Sequence, residues 1–173
     1  SQLPIVLMSS FNPVFVYGQA KFVEDVVNAG ADGVILPDLP PEEAGKFLGF
    51  ANAKSLDTIF LLAPTSTPDR IQMVGEASKG FIYYVSLTGT TGTKEALAEN
   101  LEEKVSAIKN EVKLPVLIGF GISGPEQAKE AGQCSDGVII GSAIVKLIES
   151  HSDPVERDKK ITEFISSIKT ALN

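Results

Sequence analysis

Apolar runs of strand length alternate with segments of helical period along the whole chain, at intervals of about 25 residues. Pro4 to Met8 reads as a strand, closed by Ser9-Ser10-Phe11-Asn12-Pro13. A helix follows around Gln19 to Ala29, with Phe22, Val23, Val26 and Val27 on one face, and Gly30 stops it. Gly33 to Leu36 is the next strand, ending in Pro37-Asp38-Leu39-Pro40-Pro41; the double proline is expected to open a helix from Glu42 to about Lys54. Thr58 to Leu62 is a third strand, and Thr67-Pro68 caps a helix to Ala77. Phe81 to Val85 is a fourth strand, followed by the loop Ser86 to Leu97 and a helix over Leu101 to Val112. Two further strands begin at Val116 and Val138, and Pro154 to Leu172 is an amphipathic helix with Ile161, Phe164, Ile165 and Ile168 in register.

Strict alternation of β and α elements, with strands apolar on both faces, implies a parallel sheet covered by helices. The last two strands carry the most specific signal. Val116 to Ala128 and Val138 to Ile148 each run from an apolar stretch through a glycine-bearing turn into a helix start. The first turn holds Gly119-Phe120-Gly121 and the second Gly141-Ser142-Ala143. Glycine lets backbone N–H groups approach an anion, and each turn leads to the positive end of a helix. In (β/α)8 barrels a phosphate site of this kind lies after strands seven and eight. On that count Pro4 to Met8 is strand three, and the six βα units form an α/β TIM barrel lacking its first two, a single domain over residues 1–173. Such a slice is short of a typical barrel of ~250 residues by roughly 80 to 90. The competing architecture is an open doubly wound sheet, but no GxGxxG turn follows the first strand.

Composition narrows the function. The 173 residues carry a net charge of −7, which argues against nucleic acid as a partner. No apolar run reaches the roughly twenty residues of a membrane span, and the first residues lack the pattern of a secretory signal. The single cysteine, Cys134, cannot form an internal disulfide, so a cytoplasmic or plastid compartment is expected. Cys134 has no histidine near it in sequence and His151 sits in the polar run Ser-His-Ser-Asp, so neither is expected to do chemistry. No His, Cys or carboxylate cluster has metal-ligand spacing. Asp38 is the one carboxylate at a strand end, and an aspartate before Leu-Pro-Pro can hydrogen-bond backbone and shape the turn. The Gly- and Thr-rich stretch from Leu87 to Leu97 reads as a mobile lid open to trypsin after Lys94.

An ordered set of motifs adds a family. Ala29 to Ala44 (AGADGVILPDLPPEEA), Phe60 to Ile71 (FLLAPTSTPDRI), Gly80 to Thr93 (GFIYYVSLTGTTGT), Gly119 to Ala128 (GFGISGPEQA) and Asp136 to Ile148 (DGVIIGSAIVKLI) together resemble the tryptophan synthase α subunit from its third strand to its C-terminus. One departure is Ser9-Ser10-Phe11, where family members often carry Thr-Tyr-Tyr. The resemblance implies a carbon–carbon lyase that cleaves indole-3-glycerol phosphate to indole and glyceraldehyde 3-phosphate in tryptophan biosynthesis. It implies no cofactor in this subunit, and a β subunit carrying pyridoxal phosphate as partner in an α2β2 complex. The main catalytic glutamate and aspartate are expected on segments this sequence does not contain, so the chain alone is expected to be inactive. By the same resemblance Gly92, Gly121, Gly141 and Ser142 hold the phosphate, and Tyr83 supports the reaction. Met8, Ile35, Leu61, Phe120 and Thr91 line the substrate pocket, and Asn12, Pro13 and Asp38 serve the partner interface. Two alternatives are a non-catalytic module that binds phosphate esters or docks on the β subunit, and another phosphate-binding α/β enzyme.

Overall fold

The computed structural model describes residues 2–85, 94–119 and 121–173, with side chains omitted for 94–100. The chain divides into two compact units, one of Ser1–Tyr83 with Glu111–Pro115, the other of Tyr84–Asn110 with Val116–Asn173.

In the first unit, β1 (Val6–Met8), β2 (Gly33–Ile35) and β3 (Asp57–Ile59) form a parallel sheet in chain order, with Met8 beside Ile35 and Ile35 beside Ile59. Between β1 and β2 run α1 (Phe11–Tyr17) and α2 (Gln19–Asn28). α2 buries Val23 and Val26, three apart on one face. It ends in a two-bond C-terminal cap: Gly30 takes φ +86°, its N–H donates to Val27 C=O, and Ala31 N–H reaches back to Val26 C=O. α3 (Gly45–Ala53) buries Phe47 and Ala51. α4 (Pro68–Ala77) starts as its sequence predicts, with Thr67 Oγ1 accepting the Arg70 N–H at 3.3 Å and Pro68 in the first turn.

Three expectations change here. The stretch Asn12-Pro13 is helical, inside α1, rather than a loop. The helix after Pro40-Pro41 begins at Gly45, because Glu43 and Ala44 N–H groups close tight turns onto Pro40 and Pro41 carbonyls. The third strand is broken at Phe60 into β3 and β4 (Leu61–Leu62). The Phe60 N–H turns to the buried Ser78 Oγ at 3.4 Å, while its carbonyl accepts from Tyr83. β5 (Ile82–Val85) begins with Ile82 N–H bonded to Pro115 C=O.

The second unit contains α5 (Lys94–Glu111), β6 (Val116–Gly119), α6 (Pro125–Gly132), β7 (Gly137–Ile139), α7 (Ser142–Ser150) and α8 (Pro154–Leu172). Lys94 to Leu97, the end of the expected lid, are already helical, in keeping with the strong helix propensity of Lys-Glu-Ala-Leu. β6 and β7 are parallel, with Leu117, Ile118 and Gly119 beside Gly137, Val138 and Ile139. Tyr84, Val105, Ile108, Val116 and Ile118 form the buried centre. α6 offers α8 the small residues Ala128, Ala131 and Gly132, and a Cβ at Gly132 would stand 2.6 Å from Leu172 Cδ2. α8 spans the residues its periodicity marks, with Asp153 Oδ1 accepting the Glu156 N–H at its start.

Both units contain the same local device. The run Asp-Gly-Val-Ile opens β2 and recurs at β7. Asp32 donates its N–H to Ile5 C=O and accepts the Ile5 N–H on Oδ2 at 2.7 Å. Asp136 does the same to Val116, donating to its C=O and accepting its N–H on Oδ2 at 2.8 Å. Each aspartate thus clamps the amino end of the preceding strand by two bonds and sets the pairing register.

Candidate functional site

The register of β6 and β7 places Gly119 beside Ile139, so Gly121 and Gly141 each lie two residues beyond paired positions, on neighbouring turns at the same end of the sheet. Gly121 has φ +80°, a conformation that favours glycine. Gly124 is the extended N-cap of α6 and its carbonyl accepts from Ala128. Gly141 caps α7, its carbonyl accepting from Ile144 at 3.0 Å and Val145 at 3.1 Å. The Ser142 and Ala143 N–H groups precede that first bond and sit at the positive end of the helix. Gly141 has φ −122° and ψ −77°, and among the described residues a Cβ built on it meets nothing within 4 Å. Packing among the described residues therefore does not demand glycine there; what it leaves is open backbone beside the exposed Ser142.

The remaining candidates fall in separate places. Gly92, Thr91 and Phe120 lie outside the described residues. Tyr83 is half-buried, its N–H on Phe60 C=O, and burial pushes its phenol pKa up. Its neighbour Tyr84 is buried in the second unit, with its phenol raised by burial and by nearby Cys134. Met8 and Ile35 are side by side in the sheet, Ile35 buried and Met8 59% exposed. Leu61 lines a groove of about 110 Å³ with Leu36 to Pro41, Phe60 and Arg70. That is well below the roughly 300–1,000 Å³ of ligand pockets, and neither Met8 nor Ile35 lines it. At its edge Arg70 is ion-paired with Glu42, whose carboxyl is held below its ordinary range by its own backbone N–H and by Arg70.

Asn12 and Pro13 are exposed on α1. Asp38 is exposed, and its Oδ1 accepts the Phe11 N–H at 2.7 Å, across to the turn after β1. Cys134 is half-buried, and burial, with Glu102 nearby, raises its thiol pKa, the opposite of nucleophile activation. His151 closes α7, its Nδ1 2.9 Å from Leu147 O. Among the described residues no group of His, Cys, Asp or Glu could hold a metal ion, and no helix is long and apolar enough to cross a membrane. The aspartate clamps and α1 escaped the sequence reading; the repeated Asp-Gly-Val-Ile was the available signal for the clamps.

Parallel strands joined by helices, with glycine turns aligned at the carboxyl ends of neighbouring strands, define an α/β protein of the βα-barrel class. Comparison with known proteins is specific. The family model for the tryptophan synthase alpha chain matches residues 1–173. The tryptophan synthase alpha chain of Geotalea daltonii is 47% identical over 172 residues, covering 99% of this chain and 65% of the relative. That of Pelobacter propionicus is 44% identical over 171 residues, 99% of this chain and 64% of the relative. Among solved structures, the tryptophan synthase α subunit of Legionella pneumophila superposes with a TM-score of 0.83 at 34% identity, over 98% of this chain and 62% of that one. The α subunit from Campylobacter jejuni gives 0.85 at 30% identity, over 91% and 62%. The chain belongs to the tryptophan synthase alpha chain family. It spans about 65% of the length of the curated relatives it matches, and so supplies part of their (β/α)8 barrel.

Proposed function

We propose that this chain is the phosphate-binding part of a tryptophan synthase α subunit, the lyase that cleaves indole-3-glycerol phosphate to indole and glyceraldehyde 3-phosphate. Within it the 173 residues act as one domain, contributing strands three to eight and the C-terminal helix. The observation that carries this reading is Gly141: a glycine that no neighbour crowds among the described residues, at the start of α7, in register with the positive-φ turn of Gly121. Gly121, Gly141 and Ser142 hold the phosphoryl group through N–H dipoles and the Ser142 hydroxyl, and the family resemblance adds Gly92. No lysine or arginine stands at Gly119 to Gly124 or Gly141 to Ala143, so helix ends supply the charge complement.

Retro-aldol cleavage breaks the bond between indole C3 and the glycerol side chain. A proton must reach indole C3 and another must leave the adjacent side-chain hydroxyl, which becomes the aldehyde. The two carboxylates for that work belong to segments beyond this sequence. Tyr83, with its raised phenol pKa, stays protonated at neutral pH and can donate a hydrogen bond toward the reacting hydroxyl. For the indole and triose the family resemblance marks Met8, Ile35, Leu61, Phe120 and Thr91. The subunit needs no cofactor of its own and works in the cytoplasm. It passes indole to a β subunit that carries pyridoxal phosphate and docks through the α1 region around Asn12 and Pro13.

The test is indole release from indole-3-glycerol phosphate by the chain alone and after addition of a fragment bearing the first two βα units of a relative. Activity only in the mixture supports the proposal. Gly141→Ala should then leave stability within about 0.5 kcal/mol while weakening phosphate-ester binding about ten-fold. Tight phosphate-ester binding with no activity in the mixture would favour a non-catalytic binding module.

A further inference from the structure

α1 is a short helix with little to hold it. It has seven residues, buries only Val14, and carries no acidic residue in its first turn. A helix of that length is not stable on its own. Ser10 occupies the N-cap with extended backbone, yet its side chain makes no capping bond. The cap comes instead from the turn after β2, where Asp38 Oδ1 accepts the Phe11 N–H at 2.7 Å, 27 residues away in sequence. That turn is itself stiff: Leu39 N–H closes onto Leu36 C=O, Ser9 N–H ties to Ile35 C=O, and Pro37, Pro40 and Pro41 restrict the backbone around it. At the far end Gly18, with φ +97°, ends α1 and opens α2 without a linker.

We infer that Asp38 is a positioning residue, a carboxylate N-cap lent to α1 by the neighbouring βα turn. It joins the turns after β1 and β2 into one rim and sets the pose of α1, whose Phe15 and Val16 are 61% and 77% exposed. Its part in partner binding runs through the pose of α1, on which its Oδ1 is spent. The partner half of this statement rests on the proposal that α1 faces the β chain; the capping half does not.

Amide exchange and binding separate the two. In the 173-residue chain, Asp38→Ala is expected to speed exchange of the Phe11 amide about ten-fold, the equilibrium worth of a capping bond. Asp38→Asn, which keeps an acceptor oxygen, should stay within about three-fold. Ser10→Asp, which puts a carboxylate at the N-cap itself within reach of the Asn12 N–H, should slow Asn12 exchange and restore the helix in Asp38→Ala while the Phe11 amide stays fast, or restore folding if the single variant does not fold. Titration with a purified tryptophan synthase β chain should follow the same order, weakened by Asp38→Ala and recovered by Ser10→Asp. Unchanged Phe11 exchange in Asp38→Ala overturns the cap. Normal exchange with lost binding in Asp38→Asn overturns the indirect role and makes Asp38 a direct contact. Failure of the parent chain to bind the β chain overturns the partner reading, while the exchange result still decides the cap.

Discussion

Thr58 lies in β3 beside Val34, 2% exposed, and among the described residues its hydroxyl has no hydrogen-bond partner. A buried hydroxyl left without a partner costs about 1–3 kcal/mol. Thr58→Val keeps the branched shape and removes the orphan group, so it should stabilise the chain by about 1 kcal/mol, read as a higher urea midpoint at unchanged slope. A lower midpoint would mean that the hydroxyl has a partner after all. Single residues were read from sequence with uneven success, for physical reasons. The glycine turns at Gly121 and Gly141 were legible because helix-opening signals follow them directly. The partner of Asp38 was not, since a bond spanning 27 residues leaves no local trace. Nor does a threonine in an apolar run announce whether its oxygen will be satisfied.

At the scale of elements, the aspartate clamps make a prediction about acid. Partial burial pushes the Asp136 carboxyl pKa up, but the Val116 N–H and the Lys109 ammonium, 3.0 Å away, outweigh that and hold it below the ordinary range. A depressed folded pKa contributes stability that is complete above the unfolded value of about 3.9. That contribution is lost as pH falls through the lower folded value. Asp136→Asn keeps an oxygen for Val116 but gives up the charge. The variant should be less stable than the parent at pH 7, and the two should converge below about pH 4 in pH-resolved denaturation. A gap independent of pH would show that charge has no part in the clamp. Helices with terminal punctuation, such as α4 and α8, could be placed from sequence to within a residue. The break at Phe60 could not, because it depends on where the Ser78 hydroxyl lands in three dimensions. The helical state of α1 was hidden for a similar reason: its cap belongs to another turn.

For the whole molecule, the alternation of β and α and the count from the glycine turns were enough to select a barrel, and the similarity to solved α subunits supports that choice over an open sheet. The cost of holding part of a barrel is visible on its strands. Ile5, Leu7 and Met8 are exposed in and beside β1, and no residue of α7 is buried despite its Ile-Val-Lys-Leu-Ile run. Gln2 to Ser10 contains no charged side chain to discourage edge pairing. Sedimentation velocity should therefore show concentration-dependent self-association, and Leu7→Lys should shift the distribution toward monomer. A parent chain that sediments as a single monomer at all concentrations would refute the edge as an association surface.

The two clamps have a consequence for how such a scaffold can change. In the first unit Asp32 fastens the entry of β1 while Asp38 follows the exit of β2; in the second, Asp136 fastens the entry of β6 while Gly121, Gly141 and Ser142 follow the exits of β6 and β7. Foundations and workbench are thus built from different residues, so a new ligand preference can be tried at the exits while the entries keep β1 and β6 aligned.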